Sequence, residues 1–205
     1  MKRRLLLLGA SAPLLGACVS VGVGNEATPQ RQFVLQDAGL AGQARLARQV
    51  PALVVQVLPS TAAAETLSMA YAPRADELAF YQFATWADRP VRRVPQLLVQ
   101  RLEAAGLAAA AGELGGPLTG EWLLTLRIDH LAHEMASPPG EGRVTLMAEL
   151  YNRRQPGRVA RQRFDASAPV ASANSAAAAA AMSVALGRAF DALLPWLQAQ
   201  LPASG

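Results

Sequence analysis

The sequence predicts an α+β domain: an antiparallel-rich β-sheet with two principal helices packed on one face. Three observations lead there. Residues 122–129 and 144–150 alternate apolar with largely polar side chains, residues 159–164 follow as a third segment, and turn-forming stretches separate the three. That is the pattern of half-buried strands in a meander. Near the C-terminus an alanine-rich run carries Met182, Leu186, Ala189 and Leu193 on one helical stripe. Earlier, Asp88 and Pro90 open a stretch in which Leu98, Leu102 and Ala105 recur at helical spacing. Strands joined in hairpins, with helices set apart from them, place the chain in the α+β class.

The chain begins with Lys2-Arg3-Arg4, an apolar run over residues 5–15, and small residues leading to Cys18, the only cysteine. This is the layout of a secretory signal peptide. Leu15-Gly16-Ala17-Cys18 reads as a lipobox, in which the thiol is acylated and the chain is cut ahead of it. Two or three acyl chains, at roughly 0.8 kcal/mol per buried CH2, hold a protein firmly to a bilayer. The competing reading makes Cys18 a small apolar residue of an ordinary signal peptide or transmembrane anchor, since no charge interrupts residues 5–24. Gly9, Pro13, Gly16, Ala17 and Ser20 weigh against a continuous buried helix there. The organisation expected is therefore a signal peptide over 1–17, a tether over 18–32 and one domain over 33–201. The tether is glycine-rich and polar, too poor in apolar residues to order itself. Val19 follows the cysteine where an acidic residue would favour inner-membrane retention, so the outer membrane is favoured over the inner.

Within the domain, Phe33-Val34-Leu35 is expected to open the first strand, and residues 37–49, with two glycines, a loop or a marginal helical turn. Residues 53–58 are β-branched and lie between Pro51 and Pro59, a strand signal. An extended pair over 66–71 and 77–84 follows, joined by a turn at 72–76. Phe80, Tyr81, Phe83 and Trp86 crowd its second half. The first helix is expected to run three to four turns, with Pro95 in its first turn and Gly106 as its stop. Gly112, Gly115, Gly116 and Gly120 then suggest a linker before the meander. Asn174 or Ser172 caps the last helix, and Pro195 should kink or end it, with Trp196 and Leu197 packed just beyond.

Composition narrows the function. Three of the four net positive charges sit at Lys2, Arg3 and Arg4, and the eighteen arginines are scattered. No phosphate-tracking stripe exists, so nucleic acid is not an expected partner. With Cys18 acylated no thiol remains for a disulfide or redox centre. His130, His133 and Glu134 form the only histidine cluster. In a continuing strand the two imidazoles would face opposite ways, so no metal site is expected. Asp76, Glu77 and Asp88 suit turns and caps better than acid–base work. No nucleophile elbow or phosphate loop is present, and neither catalysis nor a cofactor beyond the lipid on Cys18 is expected. Phe80, Tyr81 and Trp86 have two readings, a core junction between strand and helix or a surface facing a partner or lipid.

The lipobox at Cys18, Phe33-Val34-Leu35, Phe80-Tyr81 leading to Trp86-Ala87-Asp88-Arg89-Pro90, the helix from Leu97 to Leu107, Arg163-Phe164 and the closing Leu194-Pro195-Trp196-Leu197 follow a familiar order. In it the chain resembles the ABC-type transport auxiliary lipoproteins. The resemblance implies a non-enzymatic component of intermembrane lipid transport, working with an ABC permease, its ATPase and an MCE-domain substrate-binding protein. It further implies phospholipid or a related lipid as cargo, and self-association into a homo-oligomer. A second reading is a structural or regulatory envelope lipoprotein that assembles or activates another machine, in cell-wall synthesis or outer-membrane biogenesis. A third is a periplasmic enzyme using His130, His133 or Glu134.

Overall fold

In the computed structural model, which describes residues 29–202, a 13-residue strand forms the spine of an eight-stranded sheet. The strands are β1 (Arg31–Phe33), β2 (Val50–Val57), β3 (Ser68–Arg74), β4 (Glu77–Trp86), β5 (Ala108–Glu113), β6 (Trp122–Glu134), β7 (Glu141–Asn152) and β8 (Arg158–Pro169). The helices are α1 (Pro90–Ala105) and α2 (Ser175–Gln200). The signal peptide, Cys18 and residues 19–28 lie outside the described residues. Arg31 and Gln32, assigned to the tether from sequence, pair in β1 with Ala84 and Thr85 and so belong to the domain.

The spine is β6. Along one edge β7 pairs with it antiparallel from Trp122↔Asn152 to Glu134↔Glu141, and β8 continues the meander on β7. The other edge is divided between two branches. Its first half pairs parallel with β2, which pairs parallel with β5. Its last residues pair parallel with β3 through Tyr71↔His133 and Ala72↔Glu134, and β4 and β1 extend that branch. The antiparallel ladders hold the longest registers, so the sheet is antiparallel-rich as expected. The parallel ladders join segments remote in sequence, where no hairpin chemistry marks the pairing.

Both helices cover one face. α2 lies over β7 and β8, and α1 over β2 and β5. The main core between the layers gathers Leu53, Leu124, Leu126, Ile128, Leu146 and Leu150 from the sheet. Leu98, Leu102, Met182, Leu186, Phe190 and Leu193 enter it from the helices. At Gly142 of β7 an added Cβ would lie 2.5 Å from the Met182 backbone nitrogen and 2.6 Å from the Ala181 carbonyl carbon. The alanine-rich face of α2 thus comes to backbone contact with the sheet.

Four local expectations are corrected. The stretch taken for a glycine-rich linker begins as a strand, β5. Its Ala-Ala-Ala-Ala-Gly sequence has little β propensity, and the pairing with β2 decides its state. Pro95 sits inside α1 rather than in its first turn, and that helix, at sixteen residues, is longer than expected. Its N-cap is Arg89 without a side-chain cap; Pro90 occupies the first helical position, and Gly106 closes the helix at φ 70° as the sequence suggested. Pro195 does not end α2, which continues to Gln200. A proline inside a helix costs about 3 kcal/mol. Leu193, Leu194 and Leu197 are buried around it, and each such burial is worth about 1.5–3 kcal/mol. Asn174 caps α2, its Oδ1 accepting from the Ala177 N–H at 2.9 Å.

Candidate functional site

The aromatic run splits in two. Trp86 is 1% exposed and belongs to the core; its N–H donates to the Leu67 carbonyl at 2.7 Å, which ties the end of β4 to the entry of β3. Tyr81 turns inward as well. Its hydroxyl lies 2.6 Å from His133 Nδ1, and His133 Nε2 lies 2.7 Å from the Pro139 carbonyl oxygen. A carbonyl only accepts, so Nε2 carries the proton and Nδ1 accepts from the phenol. Burial, and after it the neighbouring Tyr71, pushes the Tyr81 hydroxyl above its ordinary range, which keeps it a donor. Tyr71 packs on Tyr81 at 5.0 Å between ring centroids, and His133 is wholly buried. Tyr81 and His133 therefore pin β4 to β6 and to the loop after β6.

Phe80 and Phe83 face the other way, 46% and 44% exposed, and Leu78, which the sequence reading passed over, is 49% exposed. A register shift lies behind this. Between Ala70↔Phe80 and Ser68↔Thr85 the partner strand advances two residues while β4 advances five. Such an irregularity redirects side chains that strict alternation would bury. β1 pairs only with residues 84–86, so among the described residues the outer edge of β4 from 77 to 83 has no strand beside it. Among the described residues, five of the eight exposed large apolar side chains, Val34, Leu67, Leu78, Phe80 and Phe83, fall on or next to β1, β3 and β4. Their concentration there contrasts with the single exposed apolar residues elsewhere.

A second surface is the sheet face that neither helix covers. Along β6, β7 and β8 it carries Arg127, Asp129, Glu149, Tyr151, Arg161, Arg163 and Asp165, joined in pairs. Arg127 Nε lies 2.5 Å from Asp129, Glu149 takes Arg158 at 3.0 Å and Arg161 at 3.4 Å, and Arg163 meets Asp165 at 3.2 Å. The Tyr151 hydroxyl donates to Glu149 at 2.7 Å. That bond first, and the arginines after it, hold the Glu149 carboxyl below the usual carboxylate range. This face was legible only as the polar half of the alternation; its pairing depends on cross-strand register.

The remaining candidates hold local roles. β6 runs through His130, His133 and Glu134, and the two imidazoles have different partners: His130 Nε2 lies 2.6 Å from Glu134 Oε1. Glu77 pairs with Arg74 at 2.6 Å and Asp88 accepts from the Arg89 N–H. No group of three or more His, Cys, Asp or Glu side chains positioned to hold a metal is present among the described residues.

Residues 33–193 match the family model of the ABC-type transport auxiliary lipoprotein component. Among solved structures, protein XCC0632 from Xanthomonas campestris, assigned to DUF330, superposes with a TM-score of 0.71 at 19% identity, over 83% of this chain and 96% of its own. An uncharacterized protein superposes with a TM-score of 0.64 at 10% identity, over 82% and 99%. Both are similar in fold. Comparison with curated proteins gives no match.

Proposed function

Because the chain belongs to the ABC-type transport auxiliary lipoprotein component family, we propose that it is the lipid-anchored docking subunit of an intermembrane lipid transport system. Family membership makes it a transport-associated component of the cell envelope. In the finer reading, Cys18 carries the acyl chains and the domain stands on the periplasmic side of a membrane, the outer one favoured. The domain engages the MCE-domain protein of an ABC permease and its ATPase, acts as a homo-oligomer, and contributes no catalysis of its own. Phospholipid, or a lipid like it, is the cargo of the system.

The observation that carries this reading is the family match across nearly the whole domain. The open face of β6, β7 and β8 supplies a suitable surface for the MCE-domain protein. Its charges are paired within the face, so the pattern is fixed before a partner arrives, and complementary charge sets orientation and suppresses wrong partners.

Affinity capture of the tagged protein from its native membranes in mild detergent tests the reading. Recovery of an MCE-domain protein with its permease and ATPase is the expected result, and the double reversal Glu149→Arg/Arg163→Glu should reduce it. Recovery of a cell-wall synthase or an outer-membrane assembly factor, with no MCE-domain protein, would replace the transport reading with the envelope-assembly one.

A further inference from the structure

We propose that the outer edge of β4 is a membrane foot: Leu78, Phe80 and Phe83 rest in the headgroup region of the bilayer that holds the lipid anchor. The inference builds on the acylation of Cys18 and adds a second, non-covalent contact that fixes how the domain stands.

The position of the chain's entry carries the argument. β1 and β4 run parallel with Arg31 opposite Ala84 and Phe33 opposite Trp86. In a parallel pair, residues that precede Arg31 depart toward the residues that precede Ala84, which are Phe83, Gln82 and those before them. The chain thus leaves the domain alongside the unpaired stretch of β4. Twelve residues separate Cys18 from Arg31. As a coil they would reach about 19 Å, half the roughly 40 Å width of a globule of this size. On that average reach, the β1–β4 edge is the part of the domain brought nearest the lipid.

The side chains at that edge suit the interface. Phe80, Phe83 and Leu78 are each nearly half exposed, with Val34 and Leu67 on the same branch. Aromatic rings are favoured at the headgroup level, and binding there grows with the apolar area inserted. Arg31 lies over the Phe33 ring at 5.2 Å, leaving its charge beside the apolar edge for lipid phosphates. The acidic residue closest to this edge in sequence, Glu77, is neutralised by Arg74 at 2.6 Å. The pinning of Tyr81 by His133 supports the strand from behind, so the exposed rings project from a fixed backbone.

The test uses the full acylated chain reconstituted in vesicles of phosphatidylethanolamine and phosphatidylglycerol. Gln82→Cys keeps both phenylalanines and, with Cys18 acylated, offers the only thiol for a bimane fluorophore. Gln162→Cys on the exposed edge of β8 is the reference. Intact mass reports acylation in the same samples. Quenching by brominated lipid several-fold greater at 82 than at 162, and abolished by adding Phe80→Asp/Phe83→Asp, is the expected result. Equal quenching at both sites in acylated protein would overturn the foot and leave the anchor standing. An unmodified Cys18 would remove the anchor and the foot with it. Protection at 82 that appears only when the partner complex is added would make the edge a protein interface and overturn the lipid contact.

Discussion

Arg101 is 1% exposed and carries a full charge, and the surrounding residues show how that is sustained. Its Nε and Nη2 meet both carboxylate oxygens of Asp37, at 2.7 and 2.5 Å, while Nη1 reaches Asp191 at 2.5 Å and Gln43 at 3.0 Å. Burial alone would lower the guanidinium's pKa, but the bonds to Asp37 and Asp191 outweigh it and hold the group charged. A Cβ on Gly39 would fall on the guanidinium, so glycine is required there by contact. Arg101→Met strands a buried carboxylate and should cost about 3–5 kcal/mol in chemical unfolding; adding Asp37→Leu should recover most of it, because no buried unpaired charge then remains, Asp191 being solvated. None of this was legible in the sequence. Asp37 and Arg101 are 64 residues apart, Arg101 and Asp191 90 apart, and each alone resembles an ordinary surface charge. The open face makes a pH prediction. Glu149, through Tyr151 and the arginines, and Glu141, through Ser167 and then Arg143, are held below their ordinary value of 4.5. The unfolded chain therefore binds more protons in that range. Their stabilisation is complete above the ordinary value and is lost as pH falls through the folded one. Unfolding titrations should show stability falling below about pH 5, with a shallower fall in Glu149→Gln.

At the scale of elements, the contact between α2 and β7 shows what the alanine run is for. Residues 176–181 present little beyond methyl groups, and Gly142 removes the last obstacle on the sheet side. Gly142→Val should cost about 1–3 kcal/mol or more by overpacking, read as a lowered denaturation midpoint with an unchanged slope. The alternation of β6 and β7 was legible because one face of each is buried and the other is not. β5 was not, because its alanines and glycine carry no strand pattern of their own. The two internal prolines show the same limit: Pro95 was expected in a first turn and Pro195 at a kink or an end, and both lie inside their helices, flanked by buried apolar side chains. β4 combines both outcomes. Its aromatics were visible in the sequence, but the register shift that accompanies a buried Trp86, a half-buried Tyr81 and exposed Phe80 and Phe83 arises only from pairing with β3.

For the whole molecule, the division of the β6 edge between two parallel branches sets the geometry on which the functional account rests. The β3–β4–β1 branch receives the incoming chain, and the β7–β8 side carries the open ion-paired face. The sequence pointed to the domain class and the family but not to this division, since parallel neighbours leave no mark in the connecting turns. Site-specific photocrosslinking in living cells tests the account most directly, with the photoreactive residue at Arg163 on the open face in one strain and at Gln82 in another. Mass spectrometry then identifies what each position captures. The account predicts an MCE-domain protein at 163 and lipid at 82. Capture of a cell-wall or outer-membrane assembly protein at 163, with no MCE-domain protein at either position, would contradict it.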